Sequence, residues 1–214
     1  MAQFSHYNGF FAKIQMYHRF FDDVGCEALM TVDGMDFLIQ EPIPFDRKWF
    51  SHKFNHAGLR YEVGVCIQNG WIVWTNGPFA AGIFPDVTIF REALKEELMP
   101  GERIEVDSGY RGEPAFSGPN DDDNNPEWGY MKGKARARHE NINGRIKQFR
   151  IFTNIYRNKR EHHHLFFNAV VGIVQFDIRH GNGTYQIHYH ICRNIVEFDE
   201  EEGEEGGNIQ QAIV

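Results

Sequence analysis

Apolar and polar residues change period several times along the chain, and each change marks an element. Ala28 to Val32 is a short apolar run that meets Asp33-Gly34, which predicts a strand ending in a turn. Leu59, Tyr61, Val63, Val65 and Ile67 alternate with Arg60, Glu62, Gly64, Cys66 and Gln68, the period of two expected of a strand. Asn69-Gly70 leads into Trp71 to Trp74, and this dipeptide suits a type I′ hairpin turn because both central residues take positive φ. Asp86 stands where a helix N-cap belongs, before the stripe Ile89, Phe90, Ala93, Leu94 and Leu98, and Pro100-Gly101 stops the helix. Arg103 to Val106 is another short strand, again meeting an acid and a turn at Asp107-Ser108-Gly109-Tyr110. Pro114 to Gly129 reads as a surface loop. A helix from about Lys134 to Tyr156 carries Ile142, Ile146, Phe149, Phe152 and Tyr156 on one stripe. A second, about Glu161 to Ile178, is apolar on most sides and is expected to be buried. Tyr185, Ile187, Tyr189 and Ile191 alternate with His188 and His190 as a last strand. This order describes one mixed α/β layer without internal repeats.

Hydrophobic residues make up 42% and aromatics 14% of the 214 residues, enough for one large domain or two small ones and too much for wholesale disorder or a fibre. No apolar run approaches the roughly 18 residues of a membrane span, and Met1 to Phe10 lacks the order of a signal peptide, so a soluble intracellular protein is expected. Cys26, Cys66 and Cys192 form no C-x-x-C pair and read as buried thiols rather than a zinc knuckle or a disulfide framework.

A formal charge of -8 argues at first against a partner as negative as DNA, but its distribution reverses that inference. Seven acids and no base lie between Glu197 and Glu205, in a tail expected to be disordered, and without them the net charge is -1. Between Met131 and Arg160 there are ten bases and one acid, Glu140, for a net +9. On a helix such a block is either a footprint for phosphates or a solvated face.

Three acids stand out by position: Asp33 and Asp107 where strands end, and Glu140 inside the basic helix. If the two strands are neighbours their carboxylates converge, and oxygen donors of this kind suit hard divalent cations that serve phosphodiester cleavage. At ~100° per residue, Arg136, Glu140 and Lys147 fall on one helix face, a metal ligand between two phosphate clamps. The plain alternative is an i,i+4 ion pair on a solvated surface. The apolar stripe around Ile142 and Phe149 lies roughly opposite Glu140, so a ligand role requires the helix to lie at the sheet edge or to bend near Gly144.

Thr31-Val32-Asp33-Gly34, Pro85-Asp86 followed by Ile89-Phe90, Asp107-Ser108-Gly109-Tyr110-Arg111-Gly112, and Arg136 through Lys147 together resemble the DDE superfamily endonuclease domain of Harbinger-like eukaryotic transposases. The likeness runs from about Gly25 to Gly181. In related DDE enzymes the third acid lies in a Y-x2-R-x3-E-x6-K pattern, whose last three members are matched by Arg136, Glu140 and Lys147, while Gly133 stands in the tyrosine place. The resemblance implies an RNase H-like α/β fold, a mixed sheet flanked by helices, over residues 25–181. An extension (1–24) precedes it, and a strand-like segment with the acidic tail (182–214) follows. It implies a metal-dependent nuclease acting on DNA in the nucleus, with Asp33, Asp107 and Glu140 as catalytic ligands of two Mg²⁺ or Mn²⁺ ions and Arg136, Arg138 and Lys147 on phosphates. The 3′-OH freed by cleavage would then attack a target strand.

A transposase-derived module that binds DNA or protein without cutting is the competing class. Only about 25 residues precede the first strand, too few for a separate helix-turn-helix, so the chain reads as a fragment, a decayed copy, or half of a two-protein system whose other member supplies site recognition. Asp86 is read as an N-cap that can orient the site, in preference to a direct ligand. His162, His163 and His164, spread ~100° apart on a helix, cannot face one ion and are expected at the surface or its boundary. The loop Ser51, His52, Lys53, Asn55 and His56 either touches DNA or is solvated.

Overall fold

Residues 28–67, 69–98, 102–118, 126–185 and 187 are described by the computed structural model of the chain. In order, the elements are β1 (Ala28–Leu38), β2 (Phe50–Ser51), β3 (His56–Cys66), β4 (Ile72–Ala80), α1 (Asp86–Glu92), α2 (Leu94–Glu97), β5 (Arg103–Val106), β6 (Phe116–Ser117), α3 (Pro126–Lys147), α4 (Arg150–Thr153) and α5 (His163–Arg179). The sheet order is β2-β3-β1-β5-β6, with β4 also paired to β3. Pairing is antiparallel among β1, β3 and β4, and parallel from β1 to β5 and from β5 to β6. With the two-residue β2 set aside, Asp33 lies on the first strand and Asp107 directly follows the fourth. This is the mixed, helix-flanked sheet expected of an RNase H-like domain.

Alternation along β1 divides the core between the two faces of the sheet. Met30 and Val32 pack with Phe90, Leu94, Ile104 and Val106 under α1 and α2. Met35, Phe37 and Ile39 point the other way, into a cluster with Ile142, Ile146, Phe167 and Val174 from α3 and α5. At its centre the Tyr61 and Phe167 rings stack at 3.8 Å, and the Tyr61 hydroxyl lies 2.8 Å from His163 Nδ1.

Several expectations are corrected. β1 does not stop at Asp33-Gly34 but runs on to Leu38, because Gly34 pairs with Glu62 and the alternation of Met35, Phe37 and Ile39 continues into the core. The hairpin after β3 forms, closed by Cys66 N–H donating to the Trp71 carbonyl, so four residues rather than two separate the paired positions and the turn is wider than type I′. The region assigned to a loop before Gly129 holds β6 and the first turn of α3. The basic helix ends at Lys147, and Phe149 is the N-cap of a separate short α4. α5 buries one face only, and Leu165, Ile173 and Phe176 are exposed. His163 is fully buried rather than at the surface, since it fills the aromatic cluster of Phe37, Tyr61, Phe152 and Tyr156. The expected strand through His188 and His190, Cys26, Cys192 and the acidic tail lie outside the described residues.

Burial holds the His163 imidazole down to about 4. The unfolded chain therefore takes up a proton that the folded one refuses between about pH 6.5 and 4, and this residue's contribution to stability falls as pH falls through that window. His163→Leu is expected to be less stable than wild type at pH 7, where it strands the Tyr61 hydroxyl, with the gap narrowing by about 2 kcal/mol at pH 4.5. Urea unfolding at the two pH values measures it, and an unchanged gap refutes it.

Candidate active site

α3 lies along the face of the sheet that carries the odd-numbered side chains of β1, and its polar contacts step with those of the strands. Lys132 lies 3.8 Å from Glu105 on β5, His139 Nδ1 is 2.7 Å from the Thr31 hydroxyl, and Asn143 Nδ2 donates to Asp33 Oδ2 at 3.1 Å. Four helical residues rise ~6 Å and two strand residues ~6.6 Å, so His139 and Asn143 meet Thr31 and Asp33 without strain. The helix is continuous through Gly144.

β1 and β5 pair in parallel as far as Val32 with Val106, so the next residues on the two strands, Asp33 and Asp107, come side by side. Asp33 is half-buried, and its Oδ1 accepts from the Gly34 N–H at 2.7 Å. Its carboxyl is pushed above the ordinary range, first by burial and further by the charge of Asp107, while Lys53 and Lys147 act in the opposite direction. Asp107 is exposed and accepts from the Gly109 N–H at 2.8 Å, a turn that fixes its direction. Lys53 Nζ donates to the Gly34 carbonyl at 2.8 Å, on the stretch of β1 that runs past the end of β5.

The opposite face of β1 carries a second set of acids. Asp36 is buried opposite Arg60 on β3 and receives its guanidinium at 2.6 and 2.9 Å, with the Ser51 hydroxyl at 2.6 Å. Arg60 reaches on to Asp86 at 3.2 Å. Asp86 sits directly over Gly34: a Cβ there would lie 2.6 Å from the Asp86 Cγ, so β1 needs glycine at this place. Asp86 is the first residue of α1 and makes no capping bond; Pro85 takes the N-cap position. The N-cap reading is thus corrected. Its carboxylate is instead an ion-pair partner of Arg60, across β1 from the side on which Asp33 meets α3. Glu62, paired with Gly34, accepts from Trp74 Nε1 at 2.8 Å, and burial pushes its carboxyl up to about 8. Beside it the Tyr110 hydroxyl is buried close to Glu62, Asp86, Asp33 and Asp107, and burial raises it well above its ordinary value.

A family model described as DDE superfamily endonuclease matches residues 32–175, more than half of the chain. The chain belongs to this family. No curated protein and no solved structure matches it.

Within this DDE domain the residues picked out from the sequence fare differently. Asp33 and Asp107 come side by side, and the charge of Lys147 acts on Asp33. Glu140 is exposed, one helical turn from Asn143, which holds the place against Asp33. Arg136 is half-buried on the same helix arc. Arg138 is corrected: it is 1% exposed and its guanidinium is turned inward onto the carbonyls of Cys66 and Ile67 at the end of β3, where it cannot clamp a phosphate. Asn143 and the Asp36-Arg60 pair were missed. Asn143 lies three residues after Glu140 and four before Lys147, an arc already assigned to the site, and Asp36 continues the alternation that the assumed turn cut short.

Oxygen-only donors that repel one another suit a hard divalent cation, and Asp33 with Asp107 supply them. Among the described residues, however, no three His, Cys, Asp or Glu side chains gather into a ligand set, and Glu140 is exposed.

Two outcomes are expected. Gly34→Ala should cost about 2 kcal/mol by overlap with Asp86, and the cost should at least halve when measured in an Asp86→Ala background. Additive losses in the double-mutant cycle would exclude the clash. Because the folded pKa of Glu62 lies above 4.5, its contribution to stability falls as pH rises from about 4.5 to 8. Glu62→Gln keeps an acceptor for Trp74, so its stability relative to wild type should rise across that window, read from chemical denaturation; a constant difference argues against it.

Proposed function

We propose that this DDE domain cleaves phosphodiester bonds in DNA with Mg²⁺ or Mn²⁺ held by Asp33, Asp107 and Glu140. The observation that supports it best is that Asp33 lies beside Asp107 where the parallel pairing of β1 and β5 ends, with the charges of Lys53 and Lys147 acting on Asp33, in a chain of the DDE superfamily endonuclease family. A bound cation of this kind supplies a water activated near neutral pH and offsets charge building on the phosphate. The protein's part is to hold the donors. The Gly34 N–H and Asn143 fix the two oxygens of Asp33, the turn at Gly109 fixes Asp107, and Glu140 joins them from α3 with its longer, solvent-facing side chain. Lys147 and Arg136, on the arc of Glu140, meet the DNA backbone. Nuclear action, strand transfer by the freed 3′-OH and a separate site-recognition protein complete the reading.

The exposure of Glu140, apart from the other acids, favours a second reading, a family member that binds DNA or protein without cutting it.

Nicking of supercoiled DNA in Mg²⁺ or Mn²⁺ decides between them. Wild type is expected to nick, with Asp33→Ala, Asp107→Ala and Glu140→Ala each slower by about a thousandfold or more. Four proteins that behave alike leave only the binding module.

A further inference from the structure

We propose that Lys53 is a catalytic residue that contacts the scissile phosphate, a role that rests on the nuclease reading above. Lys53 lies far in sequence from the basic helix, in the turn between β2 and β3, yet its ammonium is anchored on the Gly34 carbonyl, next to Asp33. The backbone of that turn is itself pinned. Ser51 is buried with its hydroxyl on Asp36, Ser51 pairs with His56, the Phe54 N–H donates to the Ser51 carbonyl at 3.3 Å, and Asn55 closes the turn with φ +51.

A solvent-exposed lysine ordinarily keeps its rotamer freedom, worth up to about 2 kcal/mol. Lys53 is exposed at its surface but tethered at its tip, and its charge acts on both Asp33 and Asp86. One of its three N–H donors is used on Gly34, and an ammonium has others to offer a phosphate oxygen. The acids themselves repel a phosphodiester, so a strand can reach Asp33 and Asp107 only where cations offset them. Lys147 provides one on α3; Lys53 provides a second from a different element, and its tether places charge at the acids rather than along the DNA. It should therefore act on the chemical step more than on binding. A merely neutralising lysine would change the metal-free fold and leave turnover per folded molecule alone.

Wild type, Lys53→Met, Lys53→Gln, Lys53→Arg and, as a surface control, Lys95→Met are compared in Mn²⁺-dependent nicking, with duplex affinity measured separately in Ca²⁺ and Mn²⁺ affinity of the DNA-free proteins by calorimetry. Lys53→Met and Lys53→Gln should lower kcat about a hundredfold with duplex Kd moving less than about threefold, and Lys53→Arg should recover most of the loss. Both neutral variants should bind Mn²⁺ more tightly, since the ammonium no longer competes for the acids. If wild type nicks and Asp33→Ala does not, while the neutral Lys53 variants turn over normally or lose activity only in proportion to folded protein, Lys53 is not catalytic and the nuclease reading stands. Wild type that neither nicks nor binds Mn²⁺ removes both.

Discussion

β1 carries two carboxylates into the protein, one on each face, and most of the polar architecture follows from the need to compensate them. An ionised carboxylate taken out of water is costly unless it is paired and hydrogen-bonded. Asp36 is answered fully, by a bidentate guanidinium from the residue directly opposite on β3 and by the Ser51 hydroxyl. Asp33 is answered only in part, by one backbone N–H and one amide, with Lys53 and Lys147 near it and Asp107 working against them. That difference separates a structural acid from one with interaction capacity left over. A divalent cation would resolve the remaining repulsion between Asp33 and Asp107 where two lysines only lessen it.

The same strand explains which parts of the fold were legible. Alternation in β3 and the apolar stripes of α1 and α3 are local patterns that tertiary contacts reinforced. Asp33-Gly34 misled because Asp-Gly is a turn signal, and the glycine is there for another reason: Asp86 from α1 approaches β1 too closely for any Cβ. Only the packing of two distant elements makes that visible. Asp86 was misread for the related reason that an acid at a helix start is an N-cap by default, while its partner, Arg60, lies on a strand that sequence order does not place beside it.

Arg138 and His163 were misjudged because charge and clustering were read as exposure. Arg138 lies ~200° around the helix from Arg136, on the buried side, and the ends of β3 offer carbonyls to receive it. His163 is a neutral aromatic in a cluster of rings, and its neighbours His162 and His164 are more exposed. In both cases the hydrophobic stripe of the helix held the needed signal, since side chains on the stripe side are buried whatever their type. The reverse error occurred in α5, where apolar residues all round were taken for burial although one face of the helix has no covering element among the described residues.

Whether Glu140 can serve Asp33 turns on how α3 is held. Its contacts through His139 and Asn143 fix both the rotation and the axial position of the helix, so Glu140 cannot be brought in by rolling α3 without breaking two hydrogen bonds from buried groups. It need not be. Glu140 is ~60° around the axis and ~4.5 Å along it from Asn143, on the side of Lys147, whose charge already reaches Asp33. In the nuclease reading proposed above, the Glu140 side chain, with one more methylene than an aspartate, would have to cover that offset by a change of rotamer. On that reading, its exposure reflects its place on α3, beside the packed stripe rather than on it.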